Sequence, residues 1–234
     1  MPETSSAPAA SASRRCRLKI CGLTDPDQAA AIAALGVEAI GVVAVPGSPR
    51  FLPMERRAPL YAAAHRQDAD CLGVLVVADP SDTELATLRV GNGHQVVQLH
   101  GSESVERCRQ LREALGPGMG LWKALRIRSP EDLDQCGAYA AAVDALLLDA
   151  WVPDQLGGTG HQIPLPWLEG LSPHAPWWLA GGIRPERVGA VLRAVTPFGL
   201  DASSGVESRP GYKDLDRVGW LLRELEAARG AVAP

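Results

Sequence analysis

The sequence lacks several features that mark common classes of protein. It contains no long run of basic residues, so it offers no electrostatic footprint for nucleic acid. Its most apolar stretch, residues 29–45, is interrupted by Gly36 and Glu38 and is too short to span a bilayer. None of its five cysteines forms a C-x-x-C pair, which argues against a zinc site or a disulfide framework and favours a reducing compartment. We therefore expect a cytoplasmic protein that binds neither nucleic acid nor membrane.

The composition is that of a globular protein with a sizeable core. Apolar residues make up 46% of the chain and charged residues 21%, and 23 basic against 27 acidic residues leave a net charge of −4. The 24 glycines and 19 prolines require many turns, which suits a fold of many short elements. Residues 1–15, rich in alanine, serine and proline, are predicted to form a short disordered tail, and residues 16–234 one domain.

Short β-branched or leucine-rich runs alternate with helical stretches along this domain. The predicted strands are residues 17–21, 39–45, 72–77, 95–99, 120–124, 145–148, 177–179 and 198–200. The predicted helices are residues 25–36, 53–66, 80–89, 103–115, 130–136, 166–171, 185–195 and 214–229. Eight strand-then-helix units predict an α/β fold, a single (β/α)8 TIM barrel. An open doubly wound sheet is less favoured, because its usual G-x-G-x-x-G turn is absent after the first strand.

In such a barrel the functional groups lie at the carboxyl ends of the strands and in the loops that follow. The last two strands are followed by Gly181-Gly182 and by Ser203-Ser204-Gly205, turns that leave backbone N–H groups free for an anion. Such residues also make ordinary tight turns, but on neighbouring strands they favour a phosphate site. We therefore expect a phosphorylated small molecule as the ligand.

Five polar side chains at strand ends are candidates for chemistry, each with a plainer alternative. Cys21 suits a base or nucleophile, although a cysteine there is more often a small buried hydrophobe. Asp149, after three leucines, suits a general acid, or it is a solvated loop aspartate or a helix cap. Arg50 suits a bidentate carboxylate clamp, or it is a surface arginine. Asp201 binds ligand or orients its loop, and His100 is more simply a packed, hydrogen-bonded histidine.

The motifs that contain these residues occur in a characteristic order. They are K-I-C-G-L-T at 19–24, S-P-R at 48–50, Q-L-H-G at 98–101, L-L-L-D at 146–149, G-G-T-G at 157–160, A-G-G at 180–182, D-A-S-S-G-V-E at 201–207 and P-G-Y-K-D at 210–214. In this combination the chain resembles the phosphoribosylanthranilate isomerase family of tryptophan biosynthesis, over about residues 17–225. The resemblance implies an Amadori rearrangement of N-(5-phosphoribosyl)anthranilate to 1-(2-carboxyphenylamino)-1-deoxyribulose 5-phosphate without a metal or organic cofactor. The chain length is compatible with a monomer or a homodimer.

The resemblance also implies roles for individual residues. Asp149 would protonate the ribose ring oxygen as general acid, and Cys21, as thiolate, would remove the C2 proton as general base. Arg50 would hold the anthranilate carboxylate, and Asp201 would help to fix the substrate. His100 would give structural support only. The residues whose backbone would bind the phosphate are Gly158, Gly181, Gly182, Ser204 and Gly205.

The chain departs from the family pattern at three places. Aliphatic residues 42–45 stand where aromatic residues are usual, residues 161–167 replace a Phe-Asp-Trp-like stretch, and Ala202 replaces a valine. We expect these changes to affect substrate affinity and loop geometry more than the chemistry, because Cys21, Asp149 and Arg50 are all present.

Three rival functions stay open on the sequence alone. A histidine-pathway phosphosugar isomerase would carry an aspartate at the position of Cys21. An indole-glycerol-phosphate synthase would need a lysine general acid, and we expect Lys19 to alternate away from Cys21 along the strand. A non-catalytic, phosphate-binding barrel is the third rival, and the presence of both Cys21 and Asp149 argues against it.

Overall fold

The computed structural model describes residues 15–89, 93–151 and 161–231, and these form the predicted closed barrel. Residues 1–14 of the predicted tail lie outside the described residues. The barrel strands are Arg17–Cys21 (β1), Ala39–Val43 (β2), Leu72–Val77 (β3), Val96–Leu99 (β4), Gly120–Ile127 (β5), Ala145–Ala150 (β6), Trp177–Leu179 (β7) and Gly199–Ala202 (β8). Neighbours in the chain pair in parallel, and β1 pairs with β8 to close the sheet.

Helices cover the outside of the barrel. They are Pro26–Ala34 (α1), Met54–His65 (α2), Leu85–Arg89 (α3), Val105–Leu115 (α4), Cys136–Ala140 (α5), Pro185–Ala194 (α6) and Leu215–Ala231 (α7). Capping fixes where several of them begin: the side chain of Asp25 accepts hydrogen bonds from the first turn of α1, and Ser104 does the same for α4. Within the described ranges, no helix is both long and apolar enough to cross a membrane.

Several element boundaries differ from those predicted. Strands β6 and β8 run past the predicted ends at residues 148 and 200, so Asp149 and Asp201 lie inside the strands and not in the loops after them. Strand β5 extends to Ile127, whereas β2 already ends at Val43. A short hairpin of Glu207–Arg209 (β9) and Tyr212–Lys213 (β10) follows β8 and was not predicted.

The predicted helices at residues 80–89, 130–136 and 166–171 are partly or wholly replaced by 3-10 turns. The first two become Asp82–Glu84 before α3 and Pro130–Gln135 before α5. The third becomes Leu165–Leu168, and no α-helix lies between β6 and β7 in the described part of that connection. The third change has its cause at the end of the turn: Glu169 is extended, with φ = −62° and ψ = 130°, and Gly170 has φ = +72°, so the chain leaves the helical conformation after Leu168.

The barrel wall is apolar on both faces, as parallel strands covered on both sides require. One buried cluster fills the interior of the barrel and another packs the strands against the helices. In the interior, the rings of Trp122 and Trp178 stack with centroids 5.0 Å apart. Gly199 leaves the space for this stack, since a Cβ there would lie 2.4 Å from the Trp178 ring. The polar residues that line the cleft lie at the carboxyl end of the barrel interior.

Candidate active site

A single cleft at the carboxyl ends of the strands collects the predicted site residues. Those that line it, among the described residues, are Cys21, Arg50, Asp149, Gly181, Gly182, Asp201, Ser204 and Gly205. His100 and Gln98 line the same cleft. Gly158 lies in residues 152–160, outside the described residues, so its predicted phosphate contact stays a prediction.

Cys21 shares the interior of the barrel with Lys19. The expectation that Lys19 points away from Cys21 was wrong, because residues two apart in a strand face the same side. Gly41 on the adjacent strand makes room for both: a Cβ there would lie 2.7 Å from Cys21 Sγ and 3.1 Å from Lys19 Cε. The Lys19 ammonium is fully buried and donates to Asp201 Oδ1 at 3.0 Å. Lys19 is therefore a neighbour of Cys21, and its ammonium forms an ion pair with Asp201.

Burial and charge act on the Cys21 thiol in opposite directions. Burial raises the pKa of Cys21 and is the largest effect. The ammonium of Lys19 lowers that pKa, Asp201 raises it again, and Lys213 lowers it. The net direction is upward, so the thiolate form of Cys21 depends on the two lysine cations.

Arg50 is held at the rim of the cleft by Glu207. Its Nε and Nη2 donate to the two carboxylate oxygens of Glu207 at 2.8 and 2.7 Å, a bidentate pair. Lys213 Nζ donates to Glu207 Oε1 at 2.6 Å. Burial alone would raise the pKa of Glu207, but the hydrogen bonds and charges of Arg50 and Lys213 outweigh it and leave that pKa lowered. The group carries two positive charges and one negative charge, so one net positive charge stands beside the cleft.

The turn after β7 passes directly over the side chain of Asp149. Gly181 has φ = +83°, and a Cβ on it would lie 2.7 Å from the His161 carbonyl oxygen and 3.2 Å from Asp149 Oδ1. The carbonyl of Gly181 accepts a hydrogen bond from Arg187 Nη1 at 2.6 Å. Because N–H and C=O point in opposite directions across a trans peptide, this bond turns the N–H of Gly182 away from Arg187.

The turns after β7 and β8 also contact each other. A Cβ on Gly205 would lie 2.0 Å from the Ile183 carbonyl oxygen, so only glycine allows the two turns this approach. Gly181, Gly182, Ser204 and Gly205 thus form one continuous side of the cleft. Backbone N–H groups in such a cradle suit an anion.

Reasoning from the sequence missed the charged partners and one polar residue on the floor. The spacing of two residues between Lys19 and Cys21 predicts that both face the same side of β1. Glu207 and Lys213 lie in the last two of the sequence motifs. Gln98 is the single polar residue of β4, whose other residues are Val96, Val97 and Leu99. The alternation of side chains along a strand predicts that Gln98 faces the barrel interior. Among the residues that the structure describes, no group of His, Cys, Asp and Glu side chains could hold a metal ion.

A closed eight-stranded barrel with one polar cleft at the carboxyl ends of its strands is the architecture of a (β/α)8-barrel enzyme. The family model described as N-(5'phosphoribosyl)anthranilate (PRA) isomerase matches residues 18–223. The chain belongs to this family of isomerases of tryptophan biosynthesis.

Individual relatives agree with this assignment. The N-(5'-phosphoribosyl)anthranilate isomerase of Thermosynechococcus vestitus is 48% identical over 212 residues, 90% of each chain. The phosphoribosyl anthranilate isomerase structure from Thermotoga maritima has a TM-score of 0.80 and 26% identity, covering 91% of this chain and 99% of its own. A further isomerase structure, solved with reduced 1-(o-carboxyphenylamino)-1-deoxyribulose 5-phosphate, has a TM-score of 0.74, 26% identity and coverages of 91% and 99%.

Proposed function

We propose that this cleft converts N-(5'-phosphoribosyl)anthranilate to 1-(2-carboxyphenylamino)-1-deoxyribulose 5-phosphate, with Asp149 as general acid and Cys21 as general base. The observation that carries the proposal is that both side chains open into one cleft, beside the backbone of the turns after β7 and β8 and a net positive charge. An internal proton rearrangement of a phosphorylated, carboxylated substrate needs this combination.

The reaction divides into three steps. Asp149 gives a proton to the ribose ring oxygen; the C1–O bond breaks, and the anilino nitrogen lone pair forms the iminium. The Cys21 thiolate then removes the proton from C2, and the C–H electron pair forms the enolamine. Loss of the enol proton and protonation of C1 give the ketone. Every proton moves between the substrate, a side chain and solvent, so the steps balance without a metal or an organic cofactor.

Substrate binding is assigned to the two ends of the cleft. Arg50 uses Nε and one Nη2 hydrogen on Glu207, which leaves its Nη1 hydrogens and the second Nη2 hydrogen for the anthranilate carboxylate. At the other end, the backbone of Gly181, Gly182, Ser204 and Gly205 would bind the phosphate, with Gly158 as a further predicted contact. Asp201 would fix the substrate from its position beside Lys19.

The aromatic ring of the substrate would pack on an aliphatic wall. Val43, Val45 and Val76 line the cleft. Of these, Val43 and Val45 belong to residues 42–45, where the family pattern has aromatic residues. Valine side chains bury the ring but offer no aromatic stacking, so affinity is expected to come mainly from the charged ends of the substrate.

A cytoplasmic location is supported by the five cysteines, all of which are free thiols. The partner is a phosphorylated small molecule, and the assembly is a monomer or a homodimer, which sedimentation would distinguish.

The acid and base assignments are tested by Cys21→Ser and Asp149→Asn, compared with the unaltered chain in a fluorescence assay of N-(5'-phosphoribosyl)anthranilate turnover. We expect each variant to lose roughly a hundredfold or more in kcat, since each removes a group that moves a proton. Cys108→Ser is the matched control, because Cys108 is a buried residue of α4 outside the cleft and its substitution should keep full activity. Full activity in Cys21→Ser or Asp149→Asn would overturn the assignment.

A further inference from the structure

Two polar atoms on the floor of the cleft are buried without a hydrogen-bond partner. Within the described residues, neither Gln98 Oε1 nor His100 Nε2 has a hydrogen-bond partner. Gln98 is fully buried and His100 is 7% exposed. Buried polar groups are nearly always paired, and an unpaired one destabilises the fold. Both residues line the cleft, so a bound ligand can pair with Gln98 Oε1, and another group of the cleft can pair with His100 Nε2.

The fold holds both side chains in place. Gln98 pairs in register with Val76 and Trp122, which face the interior, and His100 lies two residues further on the same face. The next residue, Gly101, is anchored through its carbonyl, which accepts from Lys123 Nζ at 2.9 Å. That lysine is buried and also donates to Glu103 at 2.8 Å. The turn that carries His100 is therefore fixed by a buried ion pair.

The hydrogen bond between the two residues determines where the imidazole proton lies. Gln98 Nε2 lies 3.1 Å from His100 Nδ1 and donates to it, which makes Nδ1 the acceptor. The proton of a neutral imidazole then lies on Nε2, which faces Asp149 Oδ2 at 3.4 Å. That distance is longer than a formed hydrogen bond, so the contact has room to tighten when charge develops on Asp149. The same arrangement leaves Gln98 Oε1 as an acceptor in the cleft.

We propose that Gln98 and His100 act as a pair in the reaction: Gln98 Oε1 accepts a hydrogen bond from a ribose hydroxyl group of the substrate, and His100 Nε2–H holds the Asp149 carboxylate left after proton donation. Gln98 is thus a substrate-binding residue and His100 a positioning residue that acts through Asp149. The inference rests on the proposed function and deepens it. A bond that strengthens as Asp149 becomes charged favours the transition state over the bound substrate, so it affects kcat more than KM.

Two substitutions of His100 separate a positioning role from packing. In His100→Gln the amide nitrogen takes the place of Nε2 and can still donate to Asp149, whereas in His100→Asn only the Nδ1 position is occupied. We expect His100→Asn to lose about tenfold to a hundredfold in kcat with little change in KM, and His100→Gln to recover most of that loss. Equal losses in the two variants, or a loss confined to KM, would overturn the role of His100.

The role of Gln98 is tested by binding rather than turnover. Gln98→Met keeps the volume but removes the acceptor, so the reduced product analogue should bind about tenfold more weakly by titration calorimetry. Gln110→Met, an exposed glutamine on α4, is the matched control and should bind as the unaltered chain does. Unchanged affinity in Gln98→Met overturns this inference alone. Failure of the unaltered chain to bind the analogue at all would instead remove the proposed function beneath it.

Discussion

Lysine is used in this chain only where it is buried. The sequence has three lysines against 20 arginines. Lys19, Lys123 and Lys213 are at most 2% exposed, and each ammonium lies within 3.0 Å of a carboxylate oxygen. An ammonium is a compact point charge, whereas a guanidinium is a wide planar fork. In the barrel interior, Lys19 supplies such a compact cation close to Gly41, where an added Cβ would lie 3.1 Å from Lys19 Cε.

Removing the charge of Lys19 should make Cys21 a weaker source of thiolate. Lys19→Met removes the cation that lowers the pKa of Cys21, so that pKa rises further and the thiolate fraction near neutral pH falls. We expect kcat/KM to fall at neutral pH and to recover partly at alkaline pH. Iodoacetamide labelling of Cys21 across pH, read by peptide mass spectrometry, should shift to higher pH in the same variant.

Two further variants keep this prediction testable. Lys19→Met leaves Asp201 without its partner, so Lys19→Met/Asp201→Asn removes both charges of the pair. The labelling should still shift upward in the double variant, because Lys19 has the larger effect on the pKa of Cys21. Arg109→Met, which removes an exposed charge on α4, should leave it unchanged. Labelling that does not depend on Lys19 would contradict the account.

At the scale of the element, the turn after β7 is the most demanding part of the site. In Gly181→Ala the new methyl group would meet the His161 carbonyl at 2.7 Å in a backbone conformation that alanine avoids. The turn must then move away from Asp149, and we expect kcat/KM to fall at least about tenfold.

A second glycine separates backbone strain from crowding. Gly116 ends α4 with φ = +79°, and no atom lies within 4 Å of the place that an added methyl group would take, so Gly116→Ala tests the strained backbone alone. This variant should lose about 1–3 kcal/mol of unfolding free energy in urea and keep its activity. Similar activity in the two purified, folded variants would show that the turn at Gly181 does not position the site.

Element types were more predictable from the sequence than element ends. Parallel strands that are buried on both faces give apolar runs, and these runs located all eight strands. The same criterion placed the ends of β6 and β8 too early, before Asp149 and Asp201, because both residues are charged. A charged residue can continue a strand when the barrel interior supplies a partner, as Lys19 does for Asp201. Such long-range partners are not visible in a local pattern.

At the scale of the whole molecule, stability and chemistry occupy opposite ends of the barrel. The lower interior is filled by small apolar residues around the stacked rings of Trp122 and Trp178, and the upper interior holds the polar cleft. This division is typical of (β/α)8 barrels, in which substitutions at the amino-terminal ends of the strands affect stability first.

The division predicts a variant that loses stability but not catalysis. Trp178→Leu removes much of a ring that is 1% exposed and leaves a cavity, so the unfolding free energy should fall by about 3 kcal/mol in urea. The variant that remains folded should keep kcat and KM near those of the unaltered chain. A loss of kcat without a loss of stability would contradict the separation of the two ends.

The sequence predicted which residues line the cleft, but it did not predict the contacts between their side chains. The barrel rule places strand ends together, and this located Cys21, Asp149 and the two glycine-containing turns. It could not show that Glu207 holds Arg50 or that His100 faces Asp149, since these pairs join residues 157 and 49 positions apart. Their geometry depends on the closure of the barrel and on side-chain rotamers.

The most direct test of the account is the turnover of freshly generated N-(5'-phosphoribosyl)anthranilate by the purified chain, followed as the loss of anthranilate-type fluorescence, with folding checked by circular dichroism. We predict rapid turnover, with a loss of roughly a hundredfold or more in kcat in Cys21→Ser. A folded chain that leaves the substrate unchanged would contradict the proposed function.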